Sequence, residues 1–349
     1  MRLGYGLITA QHPPDDRRSV ADVYADAVER CVVAERSGFD SVWVSEHHFV
    51  DDGYMPSLLV TLAAIAQATE RVEIGTAVLL APLHDPIRIA EDAATVDLIS
   101  RGRLILGLGA GWRPEEFDVF GVDLGERASR MRETVAVLRG AWGPRTFDYR
   151  GRQVNVTPKP SRPIPIWLGG FAPAAVKRAG RIADGFLGSS TGTSGIDAFA
   201  QAQQLALGSR RDDAPFTFAL HVPVFAAESG DPWETVKPYY HYLRWKYPDM
   251  GMARGSVTPT SPPPLDGSRA TAGGAQPAQV AAAPMTEEQL RASIICGGPG
   301  EVAEQIAMFR ERLGNDIHFI CRSDFPGMPR DLQLTTIELL GSKVLPALR

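Results

Sequence analysis

The sequence predicts a (β/α)8 barrel, an α/β fold in which eight parallel strands alternate with helices. Short β-rich runs alternate with longer stretches of helical periodicity along most of the chain. Strands in such an alternation pair in parallel because each helix is the crossover between neighbours. A chain of 349 residues, 44% of them hydrophobic, can fill one large barrel. A doubly wound sheet is the alternative, which the strand count and the length disfavour.

The first half of the chain supplies four strands. Residues 3–8 form the first, and the helix after it, over residues 20–37, has apolar side chains at helical spacing and ends at Gly38. Pro86 suits the first turn of a later helix. The other strands of this half are predicted at 41–44, 72–76 and 104–107, the other helices at 57–69, 86–100 and 126–142, and a small hairpin at 147–156.

The second half continues the alternation and carries one insertion. Strands are predicted at 166–168, 185–188, 216–225 and 317–321, and helices at 172–183, 233–247 and 331–345. Between strands seven and eight, residues 250–284 are rich in Pro, Ala and Gly and hold few large apolar side chains, which predicts a flexible segment. This insertion is either a surface linker or a substrate lid. The whole chain, 1–349, is predicted to be a single barrel domain.

Composition excludes several classes of function. The net charge, 36 − 41 = −5, offers no broad basic surface for nucleic acid. No apolar run approaches the roughly 20 residues that cross a bilayer, and no secretory leader is recognisable. Three cysteines are too few and too scattered for a disulfide framework or a zinc site. We therefore expect a cytoplasmic protein that binds neither nucleic acid nor membrane.

Polar side chains directly follow the second strand, in the run Ser-Glu-His-His-Phe at 45–49. In a parallel barrel such residues lie at the active-site end. Glu46 and His47 could serve as an acid and a base, or as metal ligands. His84 and Asp85 are the only nearby additional ligands and no HExxH motif exists, so we predict no metal. A metal-dependent hydrolase remains an alternative on these residues alone.

Glycines follow the fourth and fifth strands. Gly107, Gly109 and Gly111 do not have dinucleotide-loop spacing, and they favour either a tight turn or close approach of a ligand to the backbone. The pair Gly169 and Gly170 precedes a helix, so its free amides could hold an anion, with an ordinary helix start and turn glycines as the alternative explanation. Nucleophile-elbow and Walker A motifs are absent. Glu115 and Glu116 are expected on a solvated helical face. Six side chains could line a pocket, with core packing as the alternative for the aromatic ones: Tyr5, Gln11, His12, Trp112, Tyr239 and Tyr242.

Longer motifs make the chain resemble the luciferase-like flavin-dependent oxidoreductases, a family that includes bacterial luciferase and the F420-dependent enzymes. Residues 75–92 match the luciferase pattern without gaps, with the sequence GTAVLLAPLHDPIRIAED. At the same interval follow GRLILGLGAG and EEFDVFG, and later IPIWLGG, ADGF and GGPGEVAEQI. The likeness covers nearly the whole chain except roughly 190–285.

The resemblance implies a barrel with a flavin across its mouth. Ala77–Val78 would be a non-proline cis peptide that supports the flavin ring, beside the small residues of the third strand that include Thr76. His47 matches a catalytic base, and Glu46 would lie close to the ring. The remaining cofactor-binding residues implied are Gly109, Arg113, Gly169, Gly170, Phe171 and Ala172, the last four as amide donors to the phosphate.

The activity expected first is that of a monooxygenase that uses reduced FMN and O2 to oxidise a small organic substrate such as an aldehyde or ketone. No nicotinamide fingerprint is present, so a separate flavin reductase would supply the reduced FMN. Ala110 stands where luciferases place a phosphate-pairing arginine, which Arg113 could replace, and this keeps F420-dependent hydride transfer as the alternative. A non-catalytic flavin-binding protein is the third possibility. The family also implies a homodimer.

Overall fold

A computed structural model describes residues 1–251 and 285–349. The strands are β1 (Arg2–Ile8), β2 (Ser41–Val44), β3 (Glu73–Thr76), β4 (Leu79–Leu80), β5 (Leu104–Gly109), β6 (Phe147–Tyr149), β7 (Arg152–Val154), β8 (Ile166–Gly169), β9 (Gly185–Ser189), β10 (Thr217–Ala226), β11 (Ile295–Gly297) and β12 (His318–Arg322). The helices are α1 (Val20–Arg36), α2 (Leu58–Ala68), α3 (Pro86–Ile99), α4 (Pro114–Phe120), α5 (Arg127–Ala141), α6 (Pro173–Ile182), α7 (Ile196–Leu207), α8 (Pro232–Asp249), α9 (Glu287–Ala292), α10 (Pro299–Leu313), α11 (Arg330–Leu339) and α12 (Leu345–Leu348).

Eight parallel strands close into a barrel in the order β1, β2, β3, β5, β8, β9, β10 and β12, and β12 pairs back with β1. The predicted (β/α)8 fold is confirmed. The short strand β4 pairs with the end of β5, and β11 pairs with the end of β10. The predicted hairpin is present as the antiparallel pair β6–β7.

The interior of the barrel is filled by side chains rather than open. Trp43 stacks on Trp167 with ring centroids 5.2 Å apart, and both rings contact the edge of His318. Ser41 Oγ lies 2.7 Å from Trp43 Nε1 and 2.7 Å from His318 Nε2, so these buried polar atoms are paired. A Cβ built at Gly75 would lie 2.3 Å from the Trp43 ring, so this position admits only glycine. Functional groups are therefore confined to the strand ends.

Local signals place most element boundaries within two residues of the predicted ones. A capping box of Ser19 and Asp22 begins α1, and the Asp85 side chain caps α3 at Pro86. The predicted closing helix, 331–345, is instead interrupted by a π-helical turn at Leu340–Val344. Gly341 explains this position, because a Cβ there would lie 2.3 Å from the Ser37 carbonyl oxygen, and the close approach of α1 distorts the helix.

Two predictions concern the segment between β10 and β12. The helix expected at 233–247 is present as α8. The insertion at 250–284 lies outside the described residues, apart from its first two positions. In the part of the chain that is described, none of the helices has the length and apolar character needed to cross a bilayer.

Candidate functional site

The segment after β2 places a histidine–carboxylate pair at the carboxyl end of the barrel. His47 Nδ1 lies 2.8 Å from Glu116 Oε1, and the same oxygen accepts a hydrogen bond from the His48 backbone N–H at 2.9 Å. Glu116 is fully buried and His47 nearly so. An ionised carboxylate only accepts hydrogen bonds, so Nδ1 carries the proton and Nε2 is the imidazole atom left for a ligand. Glu116 Oε2 has no partner among the described residues.

Aromatic rings surround this imidazole. The ring centroid of His47 lies 4.8 Å from that of Tyr54, 5.5 Å from that of Trp112 and 6.2 Å from that of Tyr247. The Tyr54 hydroxyl donates to Ser45 Oγ at 3.1 Å and lies 3.3 Å from the Tyr247 hydroxyl. Burial is the main reason that the pKa of Tyr54 lies well above its usual value. The rings form an apolar enclosure with two phenol hydroxyls, which excludes water from one face of His47.

Glu46 and two other histidines form a second buried cluster. Glu46 Oε1 lies 2.7 Å from His48 Nε2 and 2.8 Å from His84 Nε2, while Oε2 accepts from the Leu80 backbone N–H at 3.2 Å. Burial opposes ionisation of Glu46, but the hydrogen bonds from His48 and His84 outweigh it and lower its pKa. For His84, burial is in turn outweighed by Glu46, which raises the imidazole pKa. Glu46 therefore fixes β4, which contains Leu80, to the segment after β2.

The same three side chains are the candidate metal ligands that the described residues bring together. Two ligand atoms on one tetrahedral zinc lie roughly 3.3 Å apart. The two imidazole nitrogens lie closer than that to Glu46 Oε1, at hydrogen-bond distance. The geometry thus favours a hydrogen-bonded cluster of Glu46, His48 and His84 over a metal centre. The prediction of no metal stays a prediction.

A cis peptide bond joins Ala77 and Val78, at the position that the resemblance implied. Two glycines of neighbouring strands make room for the Val78 side chain. A Cβ at Gly109 would lie 2.2 Å from Val78 Cγ2, and a Cβ at Gly169 would lie 2.9 Å from Val78 Cγ1. Thr76 precedes this cis peptide, and its Oγ1 donates a hydrogen bond to the Gly107 carbonyl oxygen at 2.7 Å, which fixes the end of β3 against β5. We call Val78, Gly109 and Gly169 the valine cradle.

The turn after β8 presents unpaired backbone groups. No side chain caps α6, which begins at Pro173 after the exposed residues Phe171 and Ala172. Pro173 has no N–H and the Ala175 N–H donates to the Ala172 carbonyl oxygen at 2.8 Å, so the Ala174 N–H is the first-turn group available to an anion. The predicted phosphate-binding residues 169–172 lie together at this helix start, and their role in binding stays a prediction.

Three arginines lie near one another on α5 and on α6, the helix that follows this turn. Partial burial, together with the positive charges of Arg132 and Arg127, lowers the pKa of Arg178. Within residues 1–251 and 285–349, no side-chain hydrogen bond or ion pair involves any of the three. We call Arg127, Arg132 and Arg178 the arginine cluster. Its charges repel one another and are not neutralised by the protein, which favours an anionic ligand.

Arg113 has a structural contact that the sequence did not predict. Its Nη1 donates to the His48 carbonyl oxygen at 2.6 Å, and its Nε lies 3.5 Å from Glu115 Oε2. The guanidinium thus ties the start of α4 to the loop that carries the site histidines. Its predicted contact with a phosphate is not tested by this geometry.

The sequence did not predict the role of Glu116, and of the two roles left open for Tyr5, pocket lining and core packing, the structure gives the second. Glu116 was expected on a solvated helical face, and this is wrong because its side chain is buried against His47; Glu115, beside it, is exposed. Tyr5 is fully buried and packs on Phe39, so it lies in the core. The signal for Glu116 was its place in the first turn of a helix directly after the glycines of strand four, where a carboxylate points back to the barrel mouth.

Other predicted pocket residues have mixed outcomes. Trp112 contacts His47, as described above. Gln11 Nε2 and the Tyr242 hydroxyl both donate to Asp52 Oδ2, at 2.6 and 2.9 Å. Burial raises the pKa of Asp52. Tyr242 therefore joins α8 to the loop after β2, and Gln11 joins the segment after β1 to the same loop, next to the aromatic enclosure.

Comparison with known proteins identifies the family. The family model described as luciferase-like monooxygenase matches residues 1–316. An F420-dependent glucose-6-phosphate dehydrogenase of Amycolatopsis mediterranei is 36% identical over 202 residues, which cover 54% of this chain and 58% of that protein. The match therefore spans less than two thirds of that relative.

Solved structures share the whole architecture. An F420-dependent secondary alcohol dehydrogenase, in complex with an F420–acetone adduct, has a TM-score of 0.70 at 20% identity, over 100% of this chain and 99% of that one. The oxygenating constituent of 3,6-diketocamphane monooxygenase from Pseudomonas putida, in complex with FMN, has a TM-score of 0.72 at 18% identity, over 99% of each chain. At these identities the likeness shows the fold.

Proposed function

Because the chain belongs to the luciferase-like monooxygenase family, whose members are oxidoreductases, we propose that it is a hydride-transferring enzyme that uses F420. The observation that carries the proposal is the buried His47–Glu116 pair, at the same end of the barrel as the valine cradle. A proton-handling imidazole next to a flat binding surface is what hydride exchange between a coenzyme and a carbon–oxygen bond requires.

The residues at the mouth fit a flat ring with an anionic tail. The valine cradle offers an apolar shelf at the ends of β3, β5 and β8, since only glycines at 109 and 169 leave space for Val78. The turn before α6 and the Ala174 N–H offer backbone amides to a phosphate. F420, when bound, supplies the hydride chemistry itself.

Protein side chains then have separate tasks. His47 Nε2 takes a proton from a substrate hydroxyl or returns it to a carbonyl oxygen, while Glu116 holds the imidazole in one tautomer and stabilises its charged form. The rings of Tyr54, Trp112 and Tyr247 keep water away from that proton. Glu46 is a positioning residue, since its oxygens already accept three hydrogen bonds.

Two observations favour F420 over FMN. The Amycolatopsis relative at 36% identity is F420-dependent by its name. In addition, the arginine cluster offers three unneutralised charges on α5 and on α6, the helix that begins at the proposed phosphate site, and F420 carries a long acidic tail, whereas FMN carries one phosphate. Ala110, in place of the luciferase arginine, agrees with this preference.

An FMN-dependent monooxygenase is the second candidate, supported by the luciferase match over residues 75–92 and by the FMN-bound structural neighbour. Under this alternative the same imidazole and enclosure would act on a substrate oxygenated with O2, and a separate reductase would supply reduced FMN. The two candidates differ in whether oxygen is consumed.

Equilibrium titration separates the two candidates. We expect F420 to bind the protein in the micromolar range or tighter and FMN at least about tenfold more weakly, with F420 affinity falling steeply as salt rises. The double variant R132M/R178M should bind F420 about tenfold more weakly, with a flatter salt dependence. Arg145, exposed beyond the far end of α5, gives the matched control R145M, which should bind like the wild type. Tight FMN binding with no F420 binding would overturn the proposal.

A further inference from the structure

Three arginine or lysine side chains are buried in the described part of the chain, and two of them have a carboxylate partner. Arg30 Nε lies 3.2 Å from Asp324 Oδ1, and Lys246 Nζ lies 2.8 Å from Asp249 Oδ2. The third, Arg322, is 7% exposed. No carboxylate among the described residues pairs with it. A buried charge without a counter-charge destabilises the folded state strongly.

The surroundings of Arg322 are aromatic and uncharged. Its Nη2 donates to the Tyr247 hydroxyl at 3.0 Å, and its guanidinium carbon lies 5.3 Å from the centre of the Tyr247 ring. Its Nε is buried and has no hydrogen-bond partner in the described structure. Burial, with Arg322 nearby, lowers the pKa of His221 to about 3, so that imidazole is neutral near pH 7. Arg322 therefore presents one uncompensated positive charge.

The position of this charge points to a substrate group. Arg322 is the last residue of β12, the eighth barrel strand, beside Pro223 of the seventh, and barrels commonly hold anionic groups after these two strands. Tyr247 contacts both Arg322 and His47, so the charge lies about one ring away from the proton-handling imidazole. The proposed cofactor phosphate site follows β8, three strands further round the barrel.

We propose that Arg322 and the Tyr247 hydroxyl form a subsite for a carboxylate of the substrate, which makes hydroxy and oxo acids the substrate class. This inference rests on the proposed hydride-transfer function, because the carboxylate would orient the neighbouring carbon–oxygen bond towards His47. A monoanion fits better than a phosphate dianion, since one guanidinium and no second buried cation face the subsite. The charge is retained because the bound substrate supplies its partner.

Thermal unfolding of the protein with small probes tests the subsite independently of turnover. Acetate should raise the Tm of the wild type by about 2 °C relative to chloride at equal ionic strength, and neutral acetamide should not. R322M, which removes the charge and keeps a long side chain, should lose the acetate response and unfold at the same or a higher Tm without acetate. R322K, which keeps the charge, should retain part of the response. Phosphate is run in parallel and should stabilise the wild type and R322M equally.

Opposite results would overturn the inference. If R322M unfolds several degrees lower and still responds to acetate like the wild type, Arg322 is a structural residue. If phosphate alone gives an Arg322-dependent response, the subsite does not select a carboxylate. If acetate has no effect and R322M instead binds the reduced cofactor about tenfold more weakly, the charge pairs with the cofactor ring. F420 titration of the same samples distinguishes failure of the proposed cofactor from failure of the proposed subsite. An acetate response without F420 binding would refute F420 as the cofactor but would still support the carboxylate subsite.

Discussion

His47 and Glu116 are the two residues on which the proposed chemistry depends most. Glu116 Oε1 is the only acceptor that the described structure gives to His47 Nδ1. Replacing Glu116 removes the negative charge that fixes the tautomer and stabilises the charged imidazole, so the effect belongs to the proton-transfer step rather than to cofactor binding.

We expect E116Q to lower F420-linked turnover of a hydroxy or oxo acid about 100-fold, with the Kd for F420 changed less than about threefold. The adjacent exposed carboxylate gives a matched control, and E115Q should retain turnover within about twofold. Steady-state kinetics and fluorescence titration measure the two quantities. Equal losses in both variants, or a loss confined to F420 affinity, would show that Glu116 does not act through His47.

The Glu46–His84 hydrogen bond gives stability a defined pH dependence. The pKa of Glu46 lies below its ordinary value of 4.5, so its contribution is present above that pH and is lost in acid. The pKa of His84 lies above its ordinary value of 6.5, so its contribution is complete below that pH and is lost as pH rises. The pair therefore stabilises the fold most between these two values.

H84A should accordingly lower the free energy of unfolding by about 1 kcal/mol near pH 5.5, and by less at pH 8.5. Urea unfolding at the two pH values measures the difference. H241A removes an exposed histidine that has no carboxylate partner among the described residues and a pKa lowered by burial, and it should show no such maximum in acid. A penalty for H84A that does not change with pH would contradict the charged pairing.

Sequence alone located part of this chemistry. Glu46 and His47 could be predicted because they directly follow a strand that ends at the barrel mouth. Glu116 was missed despite its position after the glycines of strand four, since its partner lies 69 residues away in the sequence and an acidic residue in the first turn of a helix is ordinarily solvated. Arg322 was missed for a related reason, because the absence of a counter-charge becomes visible only when every neighbour has been placed.

The valine cradle is the element-scale feature that joins three strands. Glycine at 109 was expected to allow either a tight turn or a ligand close to the backbone, and in the structure the Val78 side chain occupies the space that a Cβ at 109 would take. The geometry of the ring site therefore depends on contacts between β5, β8 and the segment after β3.

We expect G109A to lower the free energy of unfolding by about 1–3 kcal/mol, because the new methyl group overlaps Val78 Cγ2, and to weaken F420 binding. The double variant V78A/G109A removes the overlap and should recover much of the stability. G300A, where a Cβ meets open space in α10, should be neutral or stabilising. Urea unfolding and F420 titration are the measurements, and a G109A protein as stable as the wild type would refute the packing argument.

Element boundaries followed from local signals where these were strong. Pro86 and the Asp85 cap fixed the start of α3, and the alternation of strands and helices fixed the strand order. The π-helical turn at Leu340–Val344 could not be predicted, because its cause is the approach of the Ser37 carbonyl from the opposite end of the chain.

For the whole molecule, the barrel brings side chains from strands two, four and eight to one end. That convergence follows from the parallel topology, which the sequence predicted, and it places His47, Glu116 and Arg322 around a common mouth. Family membership and fold agree. We propose that the cofactor binds at the ends of β3, β5 and β8 and that the substrate binds at the ends of β10 and β12.

A crystal structure of the protein with saturating F420 tests this division most directly. We expect the ring to lie against Ala77–Val78 with its reactive face towards His47, the phosphate at the start of α6, and the acidic tail along the arginine cluster. Ordered F420 bound elsewhere, or a mouth left empty at saturating F420 with the turn at Gly169 directed away from it, would contradict the account.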